Sequence, residues 1–143
     1  MMAKNAYRAG LVLLFVLPLA SCAGMSIEEM GRNTIRESAD EAMKTFARIT
    51  STVDPADRKE LARRLREQLP STYWLTWTGD GVLVNDLYFR EHLTTSGGFF
   101  GRQRTVSACV RYTFADGARA MRSINCPSTG PQSEHADERV TVP

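Results

Sequence analysis

The sequence predicts an α+β domain in which two N-terminal helices pack on one face of a four-stranded antiparallel β-meander. Three observations carry that prediction. Apolar residues recur at helical steps from Ile27 to Val53 and again from Leu61 to Leu69. Nine of the twelve aromatic residues then fall between Tyr73 and Phe114, in Thr-, Val- and Leu-rich segments that alternate as half-buried strands do. Two turn signals, Gly79-Asp80-Gly81 and Asp116-Gly117, divide those segments into hairpins.

The first helix opens at Ser26-Ile27-Glu28-Glu29, where the serine oxygen can accept from the amide three residues on, as in a capping box. Ile27, Gly31, Ile35, Ala39, Ala42, Phe46, Ile49 and Val53 draw one apolar stripe along it. Glu28 with Arg32 and Asp40 with Lys44 are expected to pair across a turn on the wet side. Asp54-Pro55 interrupts the stripe and restarts a helix, with aspartate as cap and proline in the first turn. Leu61, Leu65 and Leu69 give the second helix a narrow apolar edge, Glu60 and Arg64 pair across it, and Pro70 stops it.

Four strands follow: Tyr73 to Thr78, Val82 to Leu93, Arg104 to Ala115 and Ala118 to Asn125. A two-residue turn at Asp116-Gly117 sets Ala115 opposite Ala118 and Cys109 opposite Ile124. In that register Val110, Tyr112, Phe114 and Met121 share the face that meets the helices, and Arg111 and Arg122 share the other. Trp74 and Trp77 take opposite sides of the first strand, one as core and one lining a groove against the helices. Pro127 to Pro143 has almost no bulky apolar residue and is expected to be a flexible tail, with Val140 and Val142 at a sheet edge as the lesser alternative.

The first residues carry a separate message. Lys4 and Arg8 form a basic start, Leu11 to Leu17 an apolar run, and Ala20 and Ser21 a small-residue exit. Leu19-Ala20-Ser21-Cys22, directly after that run, resembles the lipobox of bacterial lipoproteins, in which a signal peptidase cuts before the cysteine and the thiol carries a diacylglycerol. The resemblance covers about the first 22 residues. It implies removal of residues 1–21, lipid attachment at Cys22, and a domain moored in the cell envelope, on the outer face of the cytoplasmic membrane or on an outer membrane. The apolar run is broken by Pro18, Ser21 and Gly24 and falls short of the roughly 20 residues a spanning helix needs. Lys4 and Arg8 are not a twin-arginine pair, which points to the general secretory route.

An exported chain retains disulfides. With Cys22 committed to lipid, Cys109 and Cys126 allow one pairing, formed as the chain leaves the fourth strand near Pro127. The competing reading makes Cys109 a catalytic thiol assisted by His92. Without Lys4 and Arg8, basic and acidic residues balance at 16 each, so the mature domain has no broad basic field for nucleic acid.

Chemical motifs are sparse. The only histidines, His92 and His135, have no ligand-spaced companions, so no metal or cofactor is expected. Glu91 and His92 point to opposite faces of a strand. Asp80 and Asp116 are explained as turn formers, and Asp86, in the middle of the second strand, as the mark of a bulge or bend. No GxSxG, Walker-type loop, HExxH or CxxC is present, so no catalytic residue is assigned. The Gly97-to-Arg104 loop, with Phe99, Phe100, Arg102 and Arg104, is the best candidate for a partner-binding surface, against the favoured reading that one or both phenylalanines fold back to close the core. The functional expectation is a non-catalytic, membrane-anchored module that binds another envelope component. A carrier of a small apolar ligand between helices and sheet is the second reading, and a small hydrolase using an acid and His92 the third.

Overall fold

The computed structural model describes residues 26–94, 103–128, 130 and 136–142. Two helices pack on one face of an antiparallel four-stranded meander, to which a short fifth strand is added. The fold is therefore α+β, as the sequence predicts.

Helix α1 spans Ile27–Thr52, with Ser26 Oγ accepting from the Glu29 amide at 3.1 Å. It buries Gly31, Ile35, Ala39, Ala42, Phe46 and Ile49, the predicted stripe. Lys44 pairs with Glu41 at 3.1 Å and not with Asp40, a swap between neighbouring acids on a solvated face where either pair contributes little. Helix α2 spans Arg58–Gln68 and buries Leu61 and Leu65. Its cap is Asp57, whose carboxylate accepts from the Glu60 amide at 3.0 Å. Pro55 lies before that cap, not in the first turn: Asp54 first binds the Ala56 amide at 2.8 Å and turns the chain. Glu60 pairs with Arg64 as expected, and with Arg63 as well.

The strands are β1, Thr72–Trp77; β2, Leu83–Thr94; β3, Gln103–Ala115; and β4, Ala118–Ile124. Asp116 and Gly117 both have positive φ, 48° and 78°, the two-residue hairpin turn this dipeptide favours. That turn fixes Ala115 opposite Ala118 and Cys109 opposite Ile124. Tyr112 thus faces the helices, and its hydroxyl donates to the Ala39 carbonyl at 2.9 Å. Ile35, Phe46, Leu83, Leu87, Val110 and Tyr112 fill the space between the layers. The far end of α1 is tied to β4 by Arg119, which donates to Thr50 Oγ1 at 2.7 Å and Ser51 Oγ at 2.6 Å.

At its other end α1 approaches the sheet through Gly31. A Cβ there would lie 2.7 Å from Val106 Cγ2 and 2.8 Å from Leu93 Cδ1. Glycine inside a helix ordinarily costs about 1 kcal/mol against alanine, so Gly31→Ala would stabilise an isolated helix. Here the contact reverses the sign. The substitution is expected to destabilise the domain by about 1–2 kcal/mol through overpacking, read as a lowered urea midpoint; an unchanged or raised midpoint would show that the helix end shifts freely.

The expected flexible tail requires correction. Glu138–Arg139 forms β5, parallel to β3 at Val106 and Ser107, and the Val140 amide donates to Ser107 O at 2.9 Å. Asp137 accepts from the Thr105 amide at 2.7 Å, and Ser123 Oγ bonds both backbone groups of Val142. Val140 and Val142 are buried in the common core. The reason is topological: β4 stops opposite Cys109, leaving the start of β3 without a partner on that side, and the returning chain fills the vacant edge. The folded unit therefore extends past residue 126 to include 136–142.

Asn85 is the exception in the core. It lies on the helix-facing side opposite Leu75 and Tyr112, fully buried, and neither its amide nitrogen nor its oxygen finds a hydrogen-bond partner among the described residues. An unpaired buried amide costs about 1–3 kcal/mol. Asn85→Leu is expected to raise stability by about that amount, checked by equilibrium unfolding; a loss of stability would reveal a partner for the amide.

Candidate functional site

The helices cover one face of the sheet, and the other face carries the chemistry. Side chains there alternate along β2 as Val84, Asp86, Tyr88, Arg90 and His92, with Thr113, Arg111, Cys109, Ser107 and Thr105 opposite them on β3. Asp86 is buried in the middle of this face and forms a two-armed ion pair with Arg111, Oδ1 to Nε and Oδ2 to Nη2, both at 2.7 Å. The carboxylate side chain is 4% exposed and the guanidinium 31%, so one partner is desolvated and the other reaches water. The bonds from Asp86 hold the Arg111 charge more firmly in place and raise its pKa.

A bulge in β1 completes the site. Thr72 pairs with Leu87 and Trp74 with Asp86, leaving Tyr73 as the extra residue. Trp74 stands on the face opposite α1 and α2 and is 57% exposed, one of two large exposed hydrophobic residues among those described, the other being Met30. Burial, and then the negative charge of Asp86, push the Tyr73 phenol up to about 12, so it stays protonated at neutral pH. Trp77, on the opposite side of β1, packs against the core with Arg58 5.6 Å from its ring centroid. The groove that sequence reasoning set against the helices is thus on the other face.

The second wall of the site comes from the chain leaving β4. Cys109 and Cys126 form the expected disulfide, with Cα atoms 5.2 Å apart. It ties residues next to Ile124, Asn125 and Pro127 to the centre of β3. Together with Tyr73, Trp74, Asp86 and Arg111 these residues line a cleft of about 450 Å³. An exposed indole, a neutral phenol and an oriented guanidinium bring together in one cleft the three residue types enriched at interface hot spots.

The other sequence candidates separate. Cys109 is disulfide-bonded and is not a free thiol. His92 is exposed, and its Nδ1 lies 3.0 Å from Thr105 Oγ1, a hydroxyl and not a carboxylate. Among the described residues no group of three or more His, Cys, Asp or Glu could hold a metal ion. Arg104 sits on β3 opposite Leu93, partly buried, while Cys22, Phe99, Phe100 and Arg102 lie outside the described residues. Asp86 does mark a bulge, but the extra residue is in the partner strand. Adjacent Tyr73-Trp74 in an otherwise alternating strand was the legible sign of it.

No protein family, no curated protein and no solved structure matches this chain.

Proposed function

We propose that this protein is a lipid-anchored module of the bacterial cell envelope that binds another envelope component without catalysis, through the cleft around Trp74. The single observation that supports the reading is the exposed Trp74 beside Tyr73 and Arg111, on a sheet face that no helix among the described residues covers and with a wall fixed by a disulfide. Exposed indoles cost solubility, and those flanked by Tyr and Arg supply most of the energy of many interfaces. The anchor is supported by the lipobox-like Leu19-Ala20-Ser21-Cys22. Helix α1 starts four residues after Cys22 at its cap Ser26, so the domain would lie close to the bilayer.

The interlayer space is filled by core side chains, and this favours the binding module over the carrier. Affinity capture from detergent-solubilised envelope tests the cleft, with Trp74→Ala as comparator and Phe99→Ala with Phe100→Ala as control for the loop. Loss of a central tryptophan is expected to weaken retention by about thirtyfold, the equivalent of roughly 2 kcal/mol. Equal retention of the same component by wild type and Trp74→Ala would discard the cleft. Intact-mass measurement of the native protein tests the anchor: a diacylglycerol-bearing chain starting at Cys22 is expected, and an unmodified residue 1 overturns it.

A further inference from the structure

We propose that the open edge of β2, beyond the end of β1, is a second binding site that takes an extended segment of a partner polypeptide as an added strand. The inference rests on the reading of the protein as a binding module and supplies a site separate from the Trp74 cleft.

Strand β1 pairs with β2 only as far as Leu87, whereas β2 continues to Thr94. The Tyr88 amide donates to Ser71 O at 2.9 Å, so its N–H points away from β3. Such groups alternate along an antiparallel strand, and the N–H groups of His92 and Thr94 therefore face the same way. Among the described residues no strand lies against the edge at that level. Where this edge begins, a groove of about 450 Å³ lies between β2 and α1 and reaches β2 at Leu87 and Phe89. Ala42, Leu87 and Phe89 form its floor, Leu69 closes one end, and Glu37 and Glu41 form its rim.

A strand entering this groove continues the line of β1. Its backbone bonds to β2, and its apolar side chains nearest β1 rest on the groove floor, the arrangement of strand addition beside a helix. The acidic rim favours lysine or arginine in the incoming segment. Glu41 already meets Lys44 at 3.1 Å, but both side chains are about three-quarters exposed, which leaves the rim free to re-pair. The same rim disfavours a second copy, because edge-to-edge pairing about a twofold axis would bring two sets of Glu37 and Glu41 together.

The test uses the purified protein and a display library of random decapeptides, with selected peptides then synthesised. Bound peptides are expected to alternate apolar residues with others, to carry Lys or Arg, and to slow amide exchange at His92 and Thr94. Thr94→Pro removes one outward N–H without touching the β3 ladder and is expected to weaken binding by about tenfold, the equivalent of one lost hydrogen bond. N-methylation of one peptide amide does the same without altering the protein, and Glu37→Lys with Glu41→Lys weakens basic peptides. Trp74→Ala leaves these peptides bound. Peptides lost in Trp74→Ala with no slowing at His92 and Thr94 would overturn this site and leave the binding-module reading standing. Absence of any selected peptide overturns it as well. So does a concentration-dependent dimer that protects the two amides without peptide.

Discussion

Asp86→Ala is expected to destabilise the domain by about 3 kcal/mol, because it removes both bonds to Arg111 and leaves a guanidinium against a dry sheet centre. The value sits at the lower end for a broken buried pair because Arg111 still reaches water. Urea unfolding at neutral pH measures it. Replacing both partners together, Asp86→Leu with Arg111→Met, is expected to recover most of the loss, since two apolar side chains leave no uncompensated charge. A loss below about 1 kcal/mol for the single variant would place the pair among solvated surface bridges. The single variant also removes the two bonds that orient Arg111 in the cleft, so retention of a partner through Trp74 is expected to fall with it.

Removing the disulfide is the second large effect. The bond closes a loop with a sequence separation of 17, and the chain-entropy argument assigns about 3 kcal/mol to such a closure. Cys109→Ala with Cys126→Ala, compared with the oxidised protein by equilibrium unfolding, is expected to show a loss of that order. Two further changes follow from where the bond sits. Residues 125–127 lose their attachment to β3, so the cleft loses a fixed wall. The chain that returns as β5 starts from the same point, and amide exchange at Val140 is expected to quicken. Coincident unfolding curves for the two forms would show that the register of β3 and β4 alone holds this corner.

Most of the element order was legible because it is written locally. The stripe from Ile27 to Val53 needs only a period of 3.6, and the strand segments only a period of 2. Asp116-Gly117 fixed a register because both residues tolerate positive φ, and from that one turn the placement of Tyr112 toward the helices and Cys109 near Cys126 follows. Glu60 with Arg64 was legible for the same reason, as neighbours on one helix. The tail takes the lesser of the two expected arrangements, with Val140 and Val142 at a sheet edge; it is the lesser one because the composition offers little burial by itself. Val140 and Val142 become core only when a sheet with an empty half-edge is already present.

The site was less legible than the fold. Asp86 and Arg111 are 25 positions apart and meet only through the register of β2 on β3, which no short turn between them specifies. Tyr73 and Trp74 come to the same face because a bulge breaks the alternation that sequence reasoning extends unbroken. Gly31 read as one more small residue in a stripe, and its need for glycine arises from Val106 and Leu93, each more than sixty positions away. By itself the sequence determined the two helices, the four-stranded meander and a register that brings Cys109 near Cys126, since periodicity and turn chemistry act over short range. Tertiary structure alone decided the Trp74 cleft, the Asp86 to Arg111 pair and the seat of the C-terminal strand, because each depends on which distant surfaces are dry, open or unpaired once the layers have packed.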